Sequence, residues 1–231
     1  MADEFPLPKR AMAIFAHPDD VDFGCSGTLA LWADRGVHIT YCLLTSGNKG
    51  THDPKMTPLR LSRIREKEQQ AAGRVVGAKE FTFLRHDDGE LEVSMKLRGE
   101  VCKAIRIHKP DVVFAQDPWR EYQMHPDHRV AGWSAMDGII AARDHLFFKE
   151  QLRGKLTHHR VRHVYLFGTA EPNVWFDITS TLDRKIDAIG SHKSQVGDFK
   201  GLSQRMRAFA GSTGRGWGLE AAEGFRYLEL A

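Results

Sequence analysis

Residues 11–20 read AMAIFAHPDD, and this stretch decides the fold that we expect. Its first six residues form a short apolar run, which is typical of a buried strand. The last four, His17 to Asp20, bring an imidazole and two carboxylates to the end of that strand. In a parallel α/β sheet, ligands bind outside the carboxyl ends of the strands. The stretch therefore predicts a strand that leads directly into a site.

A second cluster repeats this pattern about a hundred residues later. The apolar run Val112 to Ala115 is followed about ten residues on by His125-Pro126-Asp127-His128. Each cluster places two strong ligand candidates three residues apart, and each lies downstream of a predicted strand. Together the clusters predict one mononuclear metal centre at the carboxyl edge of a sheet.

Alternating strands and helices predict an α/β sandwich around a largely parallel sheet. The predicted strands are 10–16, 37–45, 80–84, 111–115, 161–167 and 174–178, and the predicted helices are 24–35, 59–76, 96–108, 127–144 and one from about Thr179 to about Ser191. The polar loops 46–58 and 116–124 are expected to form the rim of a pocket. The glycine-rich segment after Ser194 is expected to loop over the body of the domain.

Composition bounds the class of protein. A chain of 231 residues predicts one domain, 1–231, in which residues 1–9 form a flexible tail. A formal charge of +3 is too balanced to predict nucleic acid or an anionic membrane as a partner. No apolar run approaches the roughly 20 residues of a membrane-spanning helix, and the first residues lack the apolar stretch of a secretory signal. Three widely spaced cysteines predict free thiols and a cytoplasmic location.

Zinc in catalytic sites usually takes three protein ligands and leaves a fourth position for water. His17 and Asp20 converge if Pro18 stiffens the turn after the strand, and His128 completes the set. Imidazole and carboxylate ligands suit zinc, although iron, cobalt or manganese also bind such a set. Asp19 is then a carboxylate beside a ligand, available to take the proton of a water that the metal holds.

The second cluster leaves two residues for acid–base chemistry. As an imidazolium, His125 would stabilise an oxyanion or protonate a leaving amine. Asp127 would fix the ring orientation or tautomer of His125, or hydrogen-bond to a metal ligand without binding the metal itself.

With these motifs, the chain resembles the LmbE/PIG-L family of zinc-dependent de-N-acetylases. The resemblance covers nearly the whole chain in family order. The matching residues are Ala16 to Asp20, Gly24, Gly27 to Ala30, Thr45 to Gly47, Arg65, Glu68, Ala71, Ala72, Gly77, Asp88, Gly89, His125 to Arg129, Asp177 to Thr179, Lys185 and His192 to Gln195.

The resemblance implies a Rossmann-like three-layer fold, zinc on His17, Asp20 and His128, and Asp19 as general base. It implies His125 as acid or oxyanion stabiliser, and an N-acetylglucosamine-type substrate whose hydroxyls contact Arg65 and Asp88. The family commonly has Glu where Asp22 stands and Gly where Ser26 stands. The expected function is therefore zinc-dependent removal of an N-acetyl group from a sugar or glycoconjugate. The expected partners are this small molecule and further copies of the chain.

Three alternatives remain at this point. The same metal site would also serve a hydrolase of another small-molecule amide. A nucleotide-binding Rossmann protein is disfavoured, because the loop at Gly24 to Gly27 lacks G-x-G-x-x-G and the preceding aspartates would repel a pyrophosphate. A non-catalytic sugar-binding or structural-zinc protein is disfavoured because structural sites are usually closed by four ligands.

Overall fold

The fold was described from a computed structural model, which covers residues 7–154 and 156–230. The strands are β1 (Arg10–Phe15), β2 (His38–Thr45), β3 (Glu80–His86), β4 (Val112–Gln116), β5 (His163–Phe167), β6 (Val174–Asp177) and β7 (Ala222–Glu229). The helices are α1 (Asp20–Gly24), α2 (Ser26–Asp34), α3 (Pro58–Val76), α4 (Met95–His108), α5 (Pro126–Arg143), α6 (Leu182–Gly190) and α7 (Phe199–Arg215).

The strands form one sheet in the order β3-β2-β1-β4-β5-β7-β6. The pairings from β3 to β5 are parallel, whereas β7 runs antiparallel to both β5 and β6. The chain moves outward through β2 and β3 and then returns to place β4 on the other side of β1. This reversal between β1 and β4 is the topological switch point of a Rossmann-like sheet, where ligands bind. The expected α/β class and mostly parallel sheet are confirmed.

Helices cover both faces of the sheet, which completes the expected three layers. One face packs against α2, α3 and α6, and its core is rich in aromatic side chains such as Trp32, Tyr41, Phe114 and Phe225. The other face packs against α4 and α5 through smaller side chains. Central strand β1 is buried on both faces, which explains why its sequence is a continuous apolar run rather than an alternating one.

The prediction that the segment after Ser194 forms a loop is wrong. This segment contains helix α7 and strand β7. The side chain of Asp198 caps the helix by accepting a hydrogen bond from the backbone N–H of Gly201 at 3.0 Å. Residues Leu202, Met206 and Ala210 recur every four positions, and of these Met206 and Ala210 pack with Leu182 and Ile186 of α6. The glycine content concealed this periodicity.

Three further expectations from composition can be compared with the structure: those for the cysteines, for the first residues and for a membrane-spanning helix. Cys25, Cys42 and Cys102 are all free and buried, as predicted. Of the expected tail 1–9, residues 1–6 lie outside the described residues, while the backbone N–H of Lys9 donates to the carboxylate of Asp111 at 2.9 Å. Within 7–154 and 156–230, no helix combines the length and apolar character that crossing a membrane requires.

Candidate metal centre

The two histidine clusters meet at the switch point, on either side of the ends of β1 and β4. Nδ1 of His17 lies 3.2 Å from Nε2 of His128 and 3.3 Å from Oδ2 of Asp20. Nε2 of His128 lies 3.1 Å from Oδ1 of Asp20. Residues 111 positions apart in the chain thus bring two ring nitrogens together beside the carboxylate of Asp20. The structure assembles the three side chains that the sequence predicted as ligands.

These separations fit a tetrahedral metal ion. Zinc binds nitrogen and oxygen at about 2.0–2.2 Å, so two ligands of a tetrahedron stand roughly 3.3 Å apart. The separations of 3.1–3.3 Å are close to that length, with Asp20 contributing Oδ2 toward His17 and Oδ1 toward His128. The donor set of two imidazoles and one carboxylate also suits zinc, and three protein ligands leave a fourth position open.

The charges around His17 favour a cation at this point. Its Nε2 lies 3.0 Å from Asp127 and 3.1 Å from Asp88, in addition to the contact between Nδ1 and Asp20. Burial by itself would lower the pKa of His17, but hydrogen bonds to the three carboxylates raise that pKa to about 11. For Asp20, burial opposes ionisation, yet hydrogen bonds from His128 and His17 hold its pKa well below the usual range. The three carboxylates around His17 therefore stabilise positive charge at the point where the predicted ligands meet.

The side chain of Asp127 contacts His17 on the ring nitrogen that does not face Asp20 and His128. Its fully buried carboxylate faces Nε2 of His17 and accepts backbone hydrogen bonds from Gly89 at 2.7 Å and Leu91 at 3.2 Å. Because a carboxylate only accepts, Nε2 of His17 must carry the hydrogen, which leaves Nδ1 for a metal. The backbone N–H of Asp127 also donates to Nδ1 of His125 at 3.3 Å. Asp127 therefore contacts both of the histidines that the sequence suggested it would orient.

His125 stands beside the ligands as the N-cap of α5. Its ring stacks on that of His128 with centroids 4.7 Å apart, and its Nδ1 is occupied by the backbone N–H of Asp127. Burial, followed by the neighbouring charges of His17 and His128, lowers the pKa of His125. This arrangement favours the neutral ring with its hydrogen on Nε2, rather than the imidazolium that the sequence suggested. The catalytic role of His125 stays a prediction.

Asp19 lies next to the ligands and is held by two residues of α3. Its Oδ2 accepts a hydrogen bond from the guanidinium of Arg65 at 3.2 Å, and its backbone N–H donates to Oε1 of Gln69 at 2.8 Å. Burial and the adjacent carboxylate of Asp20 raise the pKa of Asp19 to about 7. A general base works best with a pKa near the operating pH, so this environment suits the role predicted from the sequence.

The two predicted substrate contacts, Arg65 and Asp88, are both buried. Besides Asp19, Arg65 donates to the carbonyl oxygens of Pro18 at 2.7 Å and Gly47 at 3.0 Å. Oδ1 of Asp88 contacts His17, whereas its Oδ2 faces Gly50, where an added Cβ would lie 2.7 Å from Nη1 of Arg65. The lack of a side chain at Gly50 thus allows the guanidinium of Arg65 to approach the backbone closely. The contact of Arg65 and Asp88 with a sugar stays a prediction.

Sequence reasoning missed Gln69 and Gln116. Oε1 of Gln116 accepts from the backbone N–H of Ala16 at 3.0 Å and so ties the ends of β1 and β4 together. Gln69 is completely buried one helical turn after Arg65. A polar pair at i and i+4 on the apolar side of α3 was the available signal for it. The divergent Ser26 lies away from the site, with its buried hydroxyl donating to the carbonyl oxygen of Asp22 at 2.8 Å.

The position where a Rossmann protein binds phosphate is filled by the chain itself. The carboxylate of Glu223 accepts from the backbone N–H groups of Gly27 at 3.0 Å and Thr28 at 2.8 Å, at the start of α2. Lys185 pairs with the same carboxylate at 2.6 Å, and all four groups are buried. A side chain at Gly27 would lie 3.1 Å from Glu223. An internal anion therefore occupies the N-terminus of the helix, which argues against the nucleotide-binding alternative.

Comparison with known proteins agrees with the fold and the motifs. The PIG-L family, described as GlcNAc-PI de-N-acetylase, matches residues 12–138, more than half of the chain. The diacetylchitobiose deacetylase of Thermococcus kodakarensis is 31% identical over 222 residues, covering 95% of this chain and 83% of the relative. The chain belongs to the PIG-L family of de-N-acetylases. The resemblance given by the HPDD and HPDH motifs is thereby confirmed.

Solved structures of PIG-L-like proteins place the fold in the same group. The N,N'-diacetylchitobiose deacetylase of Pyrococcus horikoshii, solved with an inhibitor, superposes with a TM-score of 0.92 and 33% identity, covering 98% of this chain and 88% of that chain. The hydratase GalB of Pseudomonas putida, which acts on 4-carboxy-2-hydroxymuconate, superposes with a TM-score of 0.81 at 21% identity, covering 96% and 97% of the two chains. The second similarity concerns the fold alone.

Proposed function

We propose that this PIG-L family member is a zinc-dependent hydrolase that removes the N-acetyl group from an N-acetylglucosamine-type sugar or glycoconjugate. The observation that carries the proposal is the meeting of His17, Asp20 and His128, with 3.1–3.3 Å between ligand atoms and Asp19 beside them. The deacetylases of Thermococcus and Pyrococcus, which act on diacetylchitobiose, support the substrate class.

The roles of the residues follow from their positions. Zinc, when bound, would lower the pKa of water and polarise the acetyl carbonyl. Asp19 takes a proton from the attacking water, and Arg65 keeps its carboxylate directed at the site. His125 offers its Nε2 hydrogen to the oxyanion as the carbonyl carbon becomes tetrahedral. A new C–O bond forms, the C–N bond breaks, and the proton gained by Asp19 leaves with the amine, so acetate and a free amine result.

Arg65 and Asp88 would receive the sugar. Oδ1 of Asp88 contacts His17, and Nε of Arg65 is buried with no hydrogen-bond partner among the described residues, so this part of the site favours a substrate that brings polar partners. Sugar hydroxyls supply such partners, whereas a plain alkyl amide does not. This difference favours an N-acetyl sugar over the alternative of another small-molecule amide.

The test is a panel of N-acetylated compounds offered to the purified, zinc-loaded protein. The panel contains N-acetylglucosamine, N,N'-diacetylchitobiose, an N-acetylglucosaminyl conjugate and, as a control, simple N-alkyl acetamides. We expect one free amine and one acetate per turnover from a sugar, and loss of the activity with a chelator. Hydrolysis of the alkyl acetamides alone would favour the broader amidase, and failure on the whole panel would refute the proposal.

The remaining expectations form part of the same proposal. We infer a single domain over 1–231, a cytoplasmic location and a homo-oligomeric state, with the small N-acetylated substrate as the partner of the site. Measurement of the molar mass in solution tests the oligomer, and limited proteolysis tests the single domain.

A further inference from the structure

The backbone of Asp19 has an unusual conformation. Its φ is +94° and its ψ −28°, in a region that residues with a side chain rarely adopt. Such a conformation is strained and persists only where the surroundings fix it. Two contacts fix the carbonyl oxygen of Asp19, which accepts from the N–H groups of Asp22 at 2.9 Å and Phe23 at 3.1 Å. The N–H of Asp19 donates to Oε1 of Gln69 at 2.8 Å.

The amide of Gln69 has a single productive orientation. Its Nε2 donates to Oδ2 of Asp22 at 2.8 Å. Since a carboxylate accepts and never donates, the nitrogen must face Asp22 and the oxygen must face Asp19. Gln69 and Asp22 are both 0% exposed, so bulk water does not replace either bond.

Asp22 is in turn held by a residue from the distant end of the chain. Nε2 of His192, two residues after α6, lies 2.8 Å from the same Oδ2 of Asp22, and His192 is also 0% exposed. Within the described part of the chain, Oδ1 of Asp22 and Nδ1 of His192 have no hydrogen-bond partner. A single oxygen therefore accepts both bonds, and the hydrogen-bonded series runs from His192 through Asp22 and Gln69 to the backbone of Asp19.

The geometry points to Gln69 as a positioning residue for Asp19, oriented by Asp22 and His192. Gln69 fixes the backbone at positive φ and so sets where the carboxylate of Asp19 stands relative to the ligands. This inference rests on the proposed function of Asp19 as general base. The side-chain hydrogen bonds of Gln69 go to the N–H of Asp19 and to Asp22, not to a metal-ligand candidate or a predicted sugar contact, so its loss should lower kcat and leave KM and zinc content unchanged.

Gln69→Glu tests this series with a change of one atom. The new carboxylate oxygen faces Oδ2 of Asp22, and like charges at that distance repel. We expect kcat to fall about 10- to 100-fold, as for a displaced catalytic group, with an unchanged KM. Gln70→Glu is the matched control, because Gln70 makes only a long contact of 3.4 Å with Arg74 and lies outside the series.

The double variant Gln69→Glu with Asp22→Asn should restore activity. The amide nitrogen of the asparagine carries two hydrogens, one for the glutamate and one for the ring nitrogen of His192 in its other tautomer. We expect kcat to return to within roughly threefold of the native protein, which is the coupling that a double-mutant cycle measures. A general structural role for Gln69 predicts no such rescue.

A second readout does not depend on activity. Hydrogen exchange of the Asp19 amide, measured in metal-free protein, should be slow in the native chain, faster in Gln69→Glu and slow again in the double variant. If Gln69→Glu fails to fold, Gln69→Met removes both hydrogen bonds without adding charge and should give the same loss of kcat.

Three results would each overturn the inference. They are native kcat in both Gln69→Glu and Gln69→Met, unchanged exchange of the Asp19 amide in Gln69→Glu, and a double variant with no higher kcat than Gln69→Glu. If the native protein hydrolyses no N-acetyl sugar, the proposed function fails. The exchange measurement still reports on the hydrogen-bonded series in that case, so the two failures are distinguishable.

Discussion

The carboxylate of Asp127 lies 3.0 Å from Nε2 of His17, a residue 110 positions earlier in the chain. It thereby presents Nδ1 of His17 to the metal. In Asp127→Asn, one oxygen becomes an amide nitrogen that faces a backbone N–H or a ring N–H. We expect zinc affinity to fall about 10- to 100-fold, as is usual when the partner of a metal-binding histidine is lost.

The measurement is a competition titration against a chromophoric chelator. Asp137→Asn is the matched control, because Asp137 lies on the same helix but pairs with Arg98 instead of a ligand. Equal zinc affinity in Asp127→Asn and the native protein would contradict the supporting role.

Asp19→Asn should keep the metal and lose the reaction. The amide cannot take a proton from water, so we expect kcat to fall about 10²- to 10⁴-fold on any substrate that the native protein hydrolyses. Zinc content by elemental analysis should stay at the native value. Asp34→Asn is the control, since Asp34 pairs with Arg184 at the surface. Native turnover in Asp19→Asn would show that another group removes the proton.

The two histidines of the second cluster should behave differently. Both stand near His17, and the ligand atoms of the three rings lie within 4.8 Å of one another. Only Nε2 of His128 also contacts Asp20, so His128→Ala should lose zinc, whereas His125→Ala should keep zinc and lose turnover. Zinc content and kcat measured on both variants decide the point. The reverse pattern would exchange the roles of the two residues.

The thiols should be unreactive in the folded protein. Burial raises the pKa of Cys42 to about 12 and that of Cys102 to about 11, and it also raises the pKa of Cys25. The reactive thiolate forms above the pKa, so at pH 8 its fraction is roughly 10⁻⁴ for Cys42, against about one-quarter for an ordinary thiol. We expect a thiol reagent to label the native chain slowly and three cysteines after unfolding. Rapid native labelling would show that these side chains are accessible.

Lys185→Met should destabilise the fold. It leaves the carboxylate of Glu223 buried without its cation, and a broken buried pair costs about 3–5 kcal/mol of unfolding free energy. The neighbouring Arg184→Met removes only a partly exposed pair with Asp34, so it should cost less than about 1 kcal/mol. Denaturant unfolding of both variants measures the difference. Equal costs would mean that Glu223 is stabilised without Lys185.

The sequence was informative where hydrophobic pattern and local chemistry agree. The apolar run before His17 and the one before the second cluster predicted two central parallel strands, because strands buried on both faces have no polar alternation. The i, i+3 spacing of His17 with Asp20 and of His125 with His128 predicted the side chains that meet. His128, which the sequence named as the third ligand, is the histidine of that pair whose Nε2 contacts Asp20.

Other features depend on tertiary structure. Helix α7 was missed because its glycines have low helix propensity, whereas the helix is stabilised by the packing of Met206 and Ala210 on α6. Gln69 was missed because its role depends on the N–H of Asp19, fifty residues away. No local pattern contains that contact.

Strand β7 ends the fold by inserting Glu223 under the first helical turn of α2. The carboxylate of Glu223 therefore occupies the helix N-terminus, a position at which nucleotide-binding Rossmann proteins bind a phosphate group. Shortening the protein before residue 222 would remove the strand that pairs with both β5 and β6, and it would also leave the backbone N–H groups of Gly27 and Thr28 without their carboxylate. Binding of inorganic phosphate at that helix start in such a truncated chain, but not in the intact one, would show that Glu223 is the group that closes it.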